Sequence, residues 1–95
     1  MKGYELYSWQ SSGQWYFALL VGTNRQKTRQ EVVSPRARIK GIAGLKRKLD
    51  LLPEGEELSW SSHRIPKMKM PPRSVVDEII DHCHKRRLIL RVSPY

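Results

Sequence analysis

At 95 residues, with 18 Lys and Arg against 9 Asp and Glu, the chain carries a net charge of +9 and a pI near 10.1. That length fits one domain over 1–95 and excludes a second core. Leu, Ile, Val and Phe supply 23 of the 95 residues, which excludes disorder as the default state.

A charge excess of this size in a small domain points to phosphate-rich partners or acidic protein surfaces. Cys83 is the one cysteine, so no internal disulfide can form and nothing argues for an oxidising compartment. The longest apolar run, Trp15 to Val21, is far shorter than the roughly 20 residues needed to cross a bilayer. The opening MKGYELYSW is no signal peptide, so the expectation is a cytoplasmic protein without a membrane partner.

Tyr4 to Gln10 and Gln14 to Val21 suit two strands joined by Ser11, Ser12 and Gly13, a three-residue hairpin loop. With Gln10 opposite Gln14, Tyr7, Trp9, Trp15 and Phe17 share one face, while Tyr4, Leu6, Tyr16 and Ala18 share the other. The second strand is apolar on both faces and reads as interior; the first carries Glu5, Ser8 and Gln10 and reads as an edge. The aromatic cluster either forms the core or stacks unpaired bases; core is the preferred reading, with Trp9 near the hairpin tip the most exposed member.

Gly22, Thr23 and Asn24 then end the strand, and Thr28 to Glu31 matches a capping box that opens a short helical turn before Ser34. From Ser34 to Leu52 the pattern predicts an amphipathic helix: Ser34 as N-cap, Pro35 at the first position, and Ile39, Ile42, Leu45, Leu49 and Leu52 as an apolar stripe. Arg36, Arg38 and Lys40 fall in its first turns, where the macrodipole disfavours cations unless an anion lies between them. Arg25 to Lys48 holds nine basic residues against one acid, Glu31. Gly44 lies on the basic side of this helix, where either ordinary tolerance or the close approach of a partner explains it; Gly41 lies at the stripe's edge, towards the sheet.

Pro53 to Gly55 ends the helix, and Glu57 to Ser61 reads as a strand with Leu58 and Trp60 inward. His63 to Arg73 holds three prolines and reads as a loop whose Met68 and Met70 either tuck against the domain or contact a partner. Ser74 is expected to cap a second helix running to about Arg87, with Val75, Val76, Ile79, Ile80 and Cys83 inward, acids early and bases late. Leu88 to Ser93 alternates as a last strand. The fold class predicted is α+β: a two-layer sandwich in the order β-β-α-β-α-β, with a four-stranded mixed sheet and two helices on one face.

His82, Cys83 and His84, with His63, would make a metal set on paper, yet residues 82 and 84 of a helix point about 200° apart and cannot share one ion. Cys83 beside a histidine lacks a third orienting group. No phosphate loop, dinucleotide fingerprint or nucleophile elbow is present, so neither catalysis nor a metal or cofactor is expected. The expected function is nucleic-acid binding through phosphate contacts from Arg25, Lys27, Arg29, Arg36, Arg38, Lys40 and Arg47. The alternative is a protein-interaction module or small inhibitor. It would meet an acidic protein surface or pair as a homodimer through the edge with Tyr4, Leu6 and Trp9, using Trp9, Met68 and Met70 as anchors.

Overall fold

The computed structural model describes residues 3–22, 26–62 and 65–93. Eight elements follow one another: β1 (Tyr4–Ser11), β2 (Gln14–Val21), α1 (Arg29–Val32), β3 (Arg38–Lys40), α2 (Gly41–Leu49), β4 (Glu57–Ser61), α3 (Arg73–Lys85) and β5 (Ile89–Ser93). The strands form one mixed sheet in the order β3-β2-β1-β4-β5, antiparallel from β3 to β1 and parallel from β1 to β5. The α+β class therefore holds, but with five strands and three helices among the described residues rather than four and two. No helix among the described residues is long and apolar enough to cross a membrane.

The fifth strand comes out of the predicted 34–52 helix. Ser34 does cap a turn: its Oγ accepts the Arg36 N–H, and its carbonyl accepts those of Ala37 and Arg38. That turn is not continued. Arg38, Ile39 and Lys40 alternate exposed, buried, exposed along β3, so Ile39 reaches the core from a strand. Gly41 then turns the chain into α2 at φ +75°, which only glycine adopts without strain. Ile42, Leu45 and Leu49 form the helical part of the stripe, as expected, whereas Leu52 packs on the core from the turn beyond α2.

The hairpin register is also one step from the prediction. Ser12 and Gly13 both have positive φ, 52° and 76°, as a two-residue type I′ turn requires. Gln14 thus pairs with Ser11, and Trp9 with Tyr16. One step of register exchanges the two faces of a strand. Phe17 now shares a face with Leu6, and Tyr7 and Trp9 share the other with Ala18 and Tyr16.

Each face has its own core. On one, Leu6, Phe17, Leu58 and Trp60 pack against Leu45 and Leu49 of α2 and Ile79 and Cys83 of α3, with Phe17 and Trp60 edge to face at 6.3 Å. Tyr7, Trp9 and Ala18 on the other are covered by Val32 of α1 and by Ile65 and Met68 of the proline-rich segment. The sheet is therefore covered on both faces rather than one. Trp9 is 5% exposed, contrary to its expected exposure, and Met68 is 6% exposed, so neither can anchor a partner.

β1 is central, not an edge, and its polar side chains are satisfied internally. The Ser8 hydroxyl accepts the Trp60 indole N–H at 3.0 Å and donates to the Lys69 carbonyl, while the Lys69 N–H donates to the Ser8 carbonyl at 2.9 Å. Glu5 accepts from Tyr7 Oη and from Lys27 Nζ. β2 pairs with β1 along its whole length and β4 pairs with it at Tyr4–Leu6, so the edge expected at Tyr4 and Leu6 is occupied.

β4, the inward residues of α3, and the inward Leu88, Leu90 and Val92 match expectation. The start of α3 does not: Pro72 is its N-cap, Ser74 is exposed, and no acid lies in the first turn. Its acids instead pair with side chains, Asp77 with Arg73, Asp81 with Lys85, and Glu78 with Lys46 of α2.

Candidate nucleic-acid interface

The cations predicted to form one site are dispersed by the fold. Arg25 lies outside the described residues. Lys27 is buried on the α1 face of the sheet, 3.1 Å from Glu5 Oε1, because a carboxylate on a central strand needs an opposite charge to offset its desolvation. Arg29 is exposed on α1. Arg36 stands in the turn before β3, Arg38 and Lys40 point outward from β3, and Arg47 is exposed on α2. Lys40 is the N-cap of α2; Arg36 and Arg38 are not in a helix, so the expected pile-up of cations in a first helical turn is absent.

Four of these residues, Arg36, Arg38, Lys40 and Arg47, still line one groove, because β3 runs directly into α2; Ile39 faces the helix, and Arg38 and Lys40 leave the strand on its other side. A pocket of about 380 Å³ is lined by Arg38, Lys40, Arg47 and Lys48, with Ile39 and Leu51 as its apolar part. A second pocket of about 510 Å³ shares Ile39, Lys48 and Leu51 with it and so adjoins it. Arg36 supplies a further cation there, and Tyr4, Leu19 and Leu52 extend the apolar wall. It lies at the outer flank of β2 beyond Ala18, where the pairing with β3 stops and Leu19–Val21 are paired only with β1. Together the pockets make a groove with five cations and no acidic residue in its lining.

Ion pairing divides the surface. Lys46 of α2 meets Glu78 of α3, and Arg73 and Lys85 meet Asp77 and Asp81 one turn away within α3. Asp50, at the C-cap of α2, accepts from Arg86 Nε at 3.2 Å and lies 2.8 Å from His82 Nε2. Those contacts account for an acid placed against the helix dipole. Among the described residues Arg36, Arg38, Lys40, Arg47 and Lys48 have no carboxylate partner, as is also true of Arg29, Lys67, Lys69, Arg87 and Arg91 outside the groove. Arg38 instead lies over the Tyr16 ring at 5.2 Å, and Tyr16 stacks on Trp9 at 6.0 Å. A guanidinium held by its face keeps its N–H edge for an anion.

Gly44 lines the basic pocket, but its small size has an internal cause. A Cβ at this position would come 3.1 Å from Ile39 Cγ2, so the glycine permits β3 and α2 to pack. Lys48 and Leu51 line both pockets without belonging to the residues expected from sequence, and Leu51 falls off the apolar stripe. That departure is a readable signal, because Leu51 is 78% exposed amid cations.

The metal and thiol possibilities separate as well. Among the described residues no group of three or more His, Cys, Asp and Glu is placed to hold a metal ion; His63 lies outside them. Burial pushes the Cys83 thiol up to about 11, the opposite of an activated nucleophile. Met70 is half-buried, part of an apolar pocket between the proline-rich segment and α3. No family model matches this chain, and no curated protein or solved structure does.

Proposed function

We propose that this protein binds nucleic acid without catalysis, holding the phosphate backbone in the groove between β3 and α2. The observation that carries this reading is the set of five cations, Arg36, Arg38, Lys40, Arg47 and Lys48, around a groove whose lining contains no acid. Each such cation that meets a phosphate releases condensed counterions, which makes affinity fall with salt and gives little sequence preference. A cytoplasmic setting belongs to the same proposal, supported by a lone, buried, unpaired cysteine.

Titration into labelled oligonucleotides at several salt concentrations tests it. Five phosphate contacts on duplex DNA give a log-log slope of about −4.5, some 500-fold in affinity between about 50 and 200 mM salt. Failure to bind any oligonucleotide near 150 mM salt would overturn the proposal and direct the same cations to an acidic protein surface.

A further inference from the structure

We infer that the nucleic acid this groove selects is single-stranded, with an unpaired base resting on the groove's apolar end. The inference rests on the phosphate-binding reading and adds to it what the apolar half of the groove is for. At the flank of β2 the groove wall is Leu19 with Leu51 and Leu52, bordered by Arg36 and Lys48, while Leu20 leaves the strand on the opposite face. Leu51 holds 78% of its surface in water beside those cations. A duplex presents sugars and phosphates to such a surface and keeps its base faces stacked, so it would cover the cations and leave the leucines wet. An unpaired base has an apolar face to lay on them while its flanking phosphates meet Arg36 and Lys48. The pocket's volume, about 510 Å³, lies in the range of sites that enclose small organic groups.

The shape of α2 agrees. Lys46 ties it to Glu78 of α3, and β3 packs along it through Ile39 and Gly44, so it does not project as a helix entering a major groove does. Charge alone ranks the ligands in the other direction, because a duplex has the higher density of phosphates. Preference for the single strand would therefore report the apolar contact.

Three probes of equal length are compared at one salt concentration: a single-stranded oligonucleotide, its duplex, and a strand of the same backbone with abasic positions. Wild-type protein is expected to bind the single strand at least about fivefold more tightly than the duplex. Abasic substitution removes that advantage. Leu51→Ser, an exposed change whose fold is checked by circular dichroism, costs about fivefold on the single strand and nothing on the abasic one. Duplex binding as tight as single-strand binding, or an abasic strand bound as well as the normal one, overturns this inference and leaves phosphate binding standing. No binding of any probe overturns both. The abasic comparison uses wild-type protein and so decides the matter even if Leu51→Ser fails to fold.

Discussion

Positive side chains in this protein do two different jobs, and Lys27 and Arg36 stand for them. Lys27 is 9% exposed and neutralises Glu5 within the sheet, whereas Arg36 is exposed at the groove. Lys27→Gln should therefore lower stability by about 2 kcal/mol, below the cost of breaking a fully buried pair because Glu5 keeps some contact with solvent. Oligonucleotide affinity of the folded variant should be unchanged; urea unfolding and a binding titration on the same sample check both. Cys83 makes a pH prediction. Its thiol ionises at about 11 in the folded protein against 9.0 when unperturbed, so between those values the unfolded chain loses a proton that the native state keeps. Stability then falls as pH rises from about 9 to about 11, by about 2 to 3 kcal/mol, a loss absent from Cys83→Ala. Residue types alone showed that a basic surface existed, since composition is legible directly. That Lys27 leaves it and Lys48 joins it was not legible, because partner choice depends on which strands become neighbours.

Elements with one unambiguous period were readable: β4 through Leu58 and Trp60, α3 through Val76, Ile79 and Cys83, and the Thr28–Glu31 capping box, whose two hydrogen bonds are both present. β3 was not, because a three-residue strand contributes one inward side chain, and Ile39 three residues before Ile42 fits a helix equally well. What separates the two is Gly41 at φ +75°. Gly41→Ala should cost about 1 to 2 kcal/mol, seen as a lower urea midpoint with unchanged slope. The hairpin register was hidden in a similar way: Ser-Gly lacks the Asn-Gly signature, yet Ser12 takes φ 52°. Ser12→Asn should therefore raise stability by about 0.5 kcal/mol, measured by the same unfolding experiment.

At the scale of the molecule, the two sides of α2 differ in charge. The α2–α3 side pairs its Lys and Arg with Asp50, Asp77, Glu78 and Asp81, while the β3–α2 groove has no acid in its lining. The amount of charge and its position can therefore be separated. Two double variants lower the net charge equally: Arg36→Glu with Arg38→Glu in the groove, and Arg73→Glu with Lys85→Glu on the paired side. Their affinity for a labelled single strand, followed from about 50 to 200 mM salt, tests whether the groove cations hold the phosphates. Five contacts give the wild type a log-log slope of about −3.5 on a single strand. Phosphate binding in the groove predicts that the groove variant loses most of its affinity and flattens that slope, while the other variant stays close to wild type. Equal losses in the two variants, or an unchanged slope in a folded groove variant, would contradict it.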